Sequence, residues 1–149
     1  MDGPAGLQIR EFRYPQDYPA ARELWSRSGP GVQVRRSDEP AELEKKLARD
    51  PDLFLVAEKD GWLVGTVIGG FDGRRGMVYH LAVDESLRGA GIGGRLMDEL
   101  EGRLRRKGCL RGYLMVTTGN ETAMRFYERR GWSRMETVHT YAKDLDPQE

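Results

Sequence analysis

Four of the seven residues at positions 88–94 are glycine, and this segment restricts the fold more than any other part of the sequence. An apolar run at residues 77–83 precedes it, and residues 93–107 follow it with apolar side chains at helical spacing. Gly108 is placed to end that helix, and residues 110–116 form a further apolar run. The order strand, loop, helix, strand predicts two parallel strands joined by a crossover helix.

The remaining segments alternate between strand-like and helical spacing of their apolar residues. Asp60 and Gly61 are a hairpin signal between two apolar runs, and Ser37 or Asp38 is placed to cap the second helix. The predicted strands are residues 7–12, 53–58, 62–69, 77–83 and 110–116, with a last antiparallel pair at 132–137 and 138–144. The predicted helices are residues 17–27, 40–49, 93–107 and 120–130. The order predicts one α/β (α+β) domain over residues 1–149.

The composition argues against several classes of protein. Lys and Arg total 24 and Asp and Glu total 24, so no global positive field exists to hold nucleic acid. No apolar run approaches the ~20 residues of a membrane helix, and residues 1–8 lack the features of a signal peptide. The single cysteine, Cys109, excludes an internal disulfide and suits a reducing cytosol. We therefore expect a cytoplasmic protein without nucleic acid, membrane or metal.

The glycine-rich loop has the chemistry of an anion site. Glycines let backbone N–H groups turn toward a ligand, and the following helix adds about half a positive charge at its N-terminus. Arg88 adds a permanent charge at the mouth. A pyrophosphate would suit such a site, and a glycine-rich turn without a ligand is the alternative. The Lys-Ser/Thr of a nucleotide-hydrolysing loop is missing, and the Gly spacing and late position fit a dinucleotide-binding motif poorly.

Two motif blocks together resemble the GCN5-related N-acetyltransferase (GNAT) superfamily. Its loop pattern, Arg/Gln-x-x-Gly-x-Gly/Ala, is matched by Arg88, Gly91 and Gly93. The second block of the family, Asn-x-x-Ala-x-x-Phe-Tyr-x-x-x-Gly-Phe, is matched by Asn120, Ala123, Phe126, Tyr127, Gly131 and Trp132. The element order is similar over nearly the whole chain, and residues 76–108 look like the poorly characterised YpeA-like branch.

The resemblance implies a fold, a co-substrate and an activity. The fold is a mixed, mostly antiparallel sheet of six to seven strands with one parallel pair, flanked by about four helices. Acetyl-CoA donates an acetyl group to an amine, its pantetheine arm pairs with the backbone of residues 81–83, and its pyrophosphate binds residues 89–94. The implied cofactor-binding residues are Leu81, Ala82, Val83, Arg88, Gly89, Ala90, Gly91, Ile92, Gly93, Gly94, Asn120 and Tyr127.

Acetyl transfer needs a route for the amine proton and one for the leaving thiolate. The resemblance places Tyr127 near the sulfur, where its hydroxyl could protonate the thiolate; packing of the helix is the other interpretation. A backbone N–H of residues 81–83 could stabilise the oxyanion. His80 is a candidate base, although a lone strand histidine is more often structural. Glu58, Glu11 or a chain of waters are alternatives.

The acceptor is not specified by the sequence. The family branch that acetylates protein N-termini typically carries Glu-Val-Arg before the second block, whereas this chain has Met115, Val116 and Thr117, which argues against that activity. A small molecule or peptide amine is expected, with residues 25–49 shaping its pocket by analogy. A non-catalytic acyl-CoA sensor and a longer-chain acyltransferase remain alternatives, and a homodimer through the last strands is an analogy.

Four further features have interpretations of their own. Trp25 and Trp62 are predicted in the core, and Cys109 is predicted to be a buried strand residue and no nucleophile. Trp132 replaces the Phe of the family pattern, which we expect to be neutral. A basic run is predicted to be a solvated helix face, with the 3′-phosphate of coenzyme A as the alternative partner; it comprises Arg103, Arg105, Arg106 and Lys107.

Overall fold

Five strands and four α-helices form in residues 5–147, the part of the chain that the computed structural model describes. The strands are β1 (Leu7–Glu11), β2 (Phe54–Lys59), β3 (Trp62–Phe71), β4 (Gly76–Val83) and β5 (Gly112–Leu114). The helices are α1 (Tyr18–Ser26), α2 (Pro40–Arg49), α3 (Ile92–Arg106) and α4 (Glu121–Arg129), with 3₁₀ helices at Arg36–Asp38 and Glu85–Leu87. The chain divides into two compact units, Met1–Thr117 and Thr118–Glu149, and each is described by itself. The single domain stays a prediction.

The five strands form one sheet in the order β1-β2-β3-β4-β5. Neighbouring strands are antiparallel except β4 and β5, which are parallel and are joined by α3. This confirms a mixed, mostly antiparallel sheet with one parallel pair. The number of strands is lower than the six to seven predicted, and β5 is shorter than residues 110–116.

The predicted last antiparallel pair, residues 132–137 and 138–144, is wrong for this structure: no strand forms between residues 115 and 147. Every side chain at residues 133–147 is exposed, Tyr141 to 92% and Leu145 to 90%. An apolar–polar alternation becomes a strand only where one face is buried and the backbone finds a pairing partner, and this segment has neither. The structure therefore gives no support to the strands through which a dimer was expected.

The core of the first unit lies on both faces of the sheet. On one face, Trp25 of α1 stacks on Phe54 of β2, with ring centroids 6.2 Å apart, and neither side chain is exposed. On the other face, α3 lies close to β3: a Cβ added at Gly69 would come within 2.5 Å of Leu100 Cδ1. Glycine at this position of β3 therefore allows α3 to approach the sheet closely.

Three residue-level predictions need correction. Trp62 is 76% exposed because it begins β3 at the hairpin tip, whereas Trp25 is buried as predicted. Cys109 is half-buried and lies between α3 and β5, outside any strand. The N-cap of α2 is Glu39, without a side-chain capping bond, so neither Ser37 nor Asp38 caps that helix. Gly108, with φ of +90°, does follow the end of α3.

The basic run at the end of α3 is largely engaged by neighbouring carboxylates. Arg103 contacts Glu99 at 2.9 Å and Glu11 at 2.7 Å, and Lys107 contacts Asp52 at 3.0 Å. Such surface pairs stabilise a fold by only about 0–1 kcal/mol each. They favour the solvated-face interpretation of the run. Separately, none of the helices described in residues 5–147 is long and apolar enough to cross a membrane.

Candidate active site

The glycine-rich loop forms the junction between β4 and α3. Gly89 and Gly91 have φ of +84° and +86°, a region that glycine enters without the steric cost of a Cβ. Gly91 is the N-cap of α3 and supplies no side-chain hydrogen bond to the first turn. The first backbone N–H groups of α3 therefore remain available to an external acceptor, and the positive end of the helix dipole points the same way.

The surroundings of this loop are open. A Cβ added at Gly89 or Gly91 would meet no heavy atom within 4 Å, so these glycines serve backbone conformation and not close packing. Arg88 and Ala90 are exposed, and Arg88 has no ion-pair partner among residues 5–147. Ile92 is buried in the core, so it can offer a ligand only its backbone. Gly93 and Gly94 lie in the first turn of α3.

The strand before the loop has an open edge. Parallel pairing of β4 with β5 covers residues 76–78 and ends at the pair Val78–Leu114. Beyond it, Ala82 and Val83 pair only with β3 within the described part of the chain, and Leu81 lies in the irregular stretch of β4 without a paired residue. Backbone groups on the other side of β4 are therefore available to an extended ligand, which could add to the sheet as a strand would.

A bulge in β4 presents His80. Thr66 pairs with Ala82 and Ile68 with Tyr79, so β4 carries one residue more than β3 at this point. His80 lies in the bulge with φ of +49°, an uncommon conformation for a residue with a side chain. Its carbonyl accepts a hydrogen bond from Thr66 Oγ1 at 2.8 Å, and Thr66 Oγ1 accepts one from Trp25 Nε1 at 2.8 Å.

The His80 ring contacts a carboxylate that the sequence did not single out for this role. Its Nε2 lies 2.9 Å and 2.8 Å from the two carboxylate oxygens of Asp38, which is 4% exposed. The ring centroid lies 4.8 Å from that of Trp25. Asp38 was predicted only as a helix cap. No local pattern could reveal the pair, because the residues are 42 positions apart and come from different elements.

The other two candidate bases lie elsewhere in the sheet. Glu58 on β2 contacts Arg10 at 2.8 Å, and Glu11 on β1 contacts Arg103 at 2.7 Å. Both carboxylates are thus engaged by guanidinium groups, and β3 separates their strands from β4. His80 is the only one of the three that lies on the strand with the open edge. Among residues 5–147, no cluster of three or more His, Cys, Asp or Glu side chains could hold a metal ion.

In the second unit, Asn120 and Tyr127 belong to one helix. Asn120 is the N-cap of α4, and its Oδ1 accepts a hydrogen bond from Ala123 N at 3.2 Å. The Tyr127 ring packs edge-on between Phe126 and Trp132, with ring centroids 5.2 Å and 6.2 Å away. Burial raises the pKa of Tyr127 to about 12. Its hydroxyl has no hydrogen-bond partner in the described part of the chain.

Known proteins are similar to this chain in sequence. The model of the acetyltransferase (GNAT) family matches residues 18–132. An acetyltransferase of Pectobacterium atrosepticum is 39% identical over 132 residues, which cover 89% of this chain and 92% of the relative. An acetyltransferase of Sodalis glossinidius is 38% identical over 139 residues, with coverage of 93% and 96%.

Solved structures of other proteins are similar to this chain in fold. Ard1 from Thermoplasma volcanium matches with a TM-score of 0.78 and 27% identity, covering 89% of this chain and 86% of that chain. The PaiA N-acetyltransferase of Thermoplasma acidophilum, solved with coenzyme A, matches with a TM-score of 0.74 and 23% identity, covering 89% and 92%. The family model and the relatives cover most of the chain. The chain therefore belongs to the GNAT family of acetyltransferases.

Proposed function

We propose that this acetyltransferase moves the acetyl group of acetyl-CoA directly to a primary amine of a small molecule or peptide. The observation that carries the proposal is the junction of β4 and α3, where an uncapped helix N-terminus lies directly after an open strand edge. GNAT enzymes use acetyl-CoA, which supplies the thioester carbonyl that the amine attacks. Its extended pantetheine arm and its pyrophosphate match those two features in order along the chain.

The first unit offers two kinds of contact to this co-substrate. Backbone N–H groups of residues 89–94 and the dipole of α3 would hold the pyrophosphate, with Arg88 adding charge. The free side of β4 at Leu81, Ala82 and Val83 would hydrogen-bond the pantetheine amides. A backbone N–H on the same strand would stabilise the oxyanion as the amine adds.

Two side chains would move the protons. The new bond joins the amine nitrogen to the acetyl carbon, and the bond between that carbon and sulfur breaks. His80 Nδ1 would accept the proton that the amine loses. Tyr127 would donate its proton to the leaving sulfur; with a pKa of about 12 it holds that proton throughout the physiological range. Asn120, whose Oδ1 is used in capping, retains its amide N–H₂ as a donor to the co-substrate.

An acceptor screen tests this proposal. Wild-type protein is incubated with acetyl-CoA and a panel of amines, small molecules and peptides, and released coenzyme A is detected through its thiol. Binding of acetyl-CoA is measured separately by calorimetry. We expect binding and turnover with at least one amine. Binding without turnover across the panel would favour a sensor, and faster turnover of longer thioesters would favour a longer-chain acyltransferase.

The variant Tyr127→Phe tests the proton donor. It removes one oxygen and keeps the ring packing, so we expect unchanged affinity for acetyl-CoA and a turnover about 10²–10⁴-fold lower. Tyr113→Phe is the matched control. It also removes one tyrosine hydroxyl, but from a ring on β5 that lies beside the guanidinium groups of Arg75 and Arg111. Normal turnover in Tyr127→Phe would show that Tyr127 only packs α4.

A further inference from the structure

We propose that Asp38 is a positioning residue for His80: it selects which imidazole nitrogen faces the substrate and stabilises the ring once it is protonated. The inference rests on the proposed role of His80 as the acceptor of the amine proton. The residues of the proposed reaction lie on β4 and α4. The inference adds Asp38, which lies in the 3₁₀ helix Arg36–Asp38 between α1 and α2.

Contacts with residues other than His80 hold Asp38 in place. It is 4% exposed, and its Oδ2 accepts the backbone N–H of Arg35 at 2.9 Å. Its own carbonyl accepts the hydroxyl of Tyr18 at 3.0 Å, which ties the 3₁₀ helix to α1. A carboxylate offers only acceptors, so the contacts of 2.8 Å and 2.9 Å place a proton on His80 Nε2.

The other nitrogen of the ring is then the basic one. With Nε2 carrying the proton, Nδ1 has the free lone pair of the neutral imidazole. Nδ1 has no hydrogen-bond partner among residues 5–147, and it is not sealed from solvent. Nδ1 is therefore the ring nitrogen that we propose accepts the proton of the amine. The bulge and its φ of +49° set the direction of this side chain.

The described elements around this ring bring several charged and polar groups near it. In the 3₁₀ segment, Arg35 and Arg36 precede Asp38. From α1, Trp25 contributes an aromatic ring, and Arg22 reaches only the hydroxyl of Tyr18 at 2.8 Å. From β3, Thr66 contributes a hydroxyl that bonds the His80 carbonyl. Tyr79 is the neighbouring titratable group on β4. When Nδ1 takes the amine proton, the ring becomes a cation, and Asp38 is the anion within hydrogen-bond distance that stabilises it.

Asp38→Asn tests this inference, because it keeps the shape and removes the charge. The amide can donate to Nε2 and so favours the wrong tautomer. We expect kcat for the acetylated amine to fall about 10²-fold or more, with unchanged affinity for acetyl-CoA. Tyr18→Phe, which loosens the same 3₁₀ helix without touching the charge, should lower kcat far less.

A readout of the ring itself separates this inference from the proposed function. The chain has 2 histidines, so His139→Gln leaves His80 as the sole imidazole for nitrogen NMR. We expect the Nε2–H tautomer in that background and its loss on adding Asp38→Asn. The other tautomer in the parent, or a kcat unchanged by Asp38→Asn, would overturn the role of Asp38. If no amine is acetylated, the proposed function fails while the NMR result still decides the tautomer.

Discussion

Tyr127 combines a half-buried side chain with a hydroxyl that no described residue binds. Burial disfavours the phenolate, which raises the pKa of Tyr127 to about 12, against about 10 for a solvated tyrosine. The folded state therefore holds this proton longer than the unfolded state. The associated stability is fully present below about pH 10 and is lost as the pH rises through about 12.

A spectrophotometric titration checks this shift. Subtracting the phenolate absorbance of Tyr127→Phe from that of the wild type should leave a transition at about pH 12. The same subtraction is made with Tyr141→Phe, whose residue is 92% exposed, for comparison. Coincident transitions for the two residues would contradict the burial of Tyr127. Urea unfolding at rising pH should show the corresponding fall in the free energy of unfolding, smaller in Tyr127→Phe.

Asn120 has two roles that a suitable pair of substitutions can separate. Its Oδ1 caps α4 through Ala123 N, and its amide nitrogen is the proposed donor to acetyl-CoA. Asn120→Ser keeps a good cap and removes the amide, whereas Asn120→Ala removes both. We expect only the alanine variant to lose stability, by about 1 kcal/mol, and both to bind acetyl-CoA more weakly. Wild-type binding by Asn120→Ser would restrict Asn120 to capping.

Individual residues were predictable from sequence where their neighbours along the chain define their setting. Gly91 and Tyr127 belong to motifs in which strand, turn and helix signals lie within a few residues of each other. Asp38 and His80 meet only because β4 bulges and the 3₁₀ helix folds back over it. Neither the bulge nor the position of the 3₁₀ helix produces a periodic pattern in the sequence. His80 was therefore predicted only as a candidate base, and Asp38 only as a helix cap.

At the scale of elements, we propose that the loop and α3 act as one anion-binding unit. Gly91→Ala forces a side chain into the left-handed region at φ of +86°, which costs roughly 1–2 kcal/mol. It also turns the first N–H groups of α3 away from their present direction. We therefore expect lower stability together with a raised Kd for acetyl-CoA.

Gly73→Ala is a matched control for that loop variant. Gly73 has φ of +97° in the turn between β3 and β4, and an added Cβ there also meets no heavy atom within 4 Å. The two variants should lose similar stability in urea unfolding, and only Gly91→Ala should bind acetyl-CoA more weakly in calorimetry. Equal affinities in both would mean that the loop does not hold the pyrophosphate.

The elements themselves followed from sequence where local pattern and tertiary burial agree. All four helices were predicted to within about one residue, because amphipathic spacing coincides with glycine or proline close to the helix ends. The last two strands were not, because alternation in residues 132–144 describes a possible strand without specifying a partner. The exposure of Trp62 was also not predictable from local pattern. Its side chain lies at a hairpin tip, where no helix or second sheet within residues 5–147 covers it.

At the scale of the whole molecule, the zero net charge makes anion binding a local property. A chain with 24 basic and 24 acidic side chains has no overall field to draw in a polyanion such as coenzyme A. We propose that the affinity for its diphosphate comes from a few oriented N–H groups, one helix dipole and nearby charges such as Arg88. Binding should therefore depend strongly on the diphosphate portion of the ligand, because that portion is what these groups recognise.

Ligand-induced stabilisation tests this dependence in the intact protein. A ligand that binds only the folded state adds about 2.7 kcal/mol at 100 times its Kd. For a chain of 149 residues this corresponds to a rise in Tm of roughly 5–11 °C. Acetyl-CoA and coenzyme A should raise Tm alike, whereas pantetheine at the same concentration, which lacks the diphosphate, should raise it little. Equal shifts with pantetheine would assign the binding energy to the open edge of β4 and remove the loop from the site.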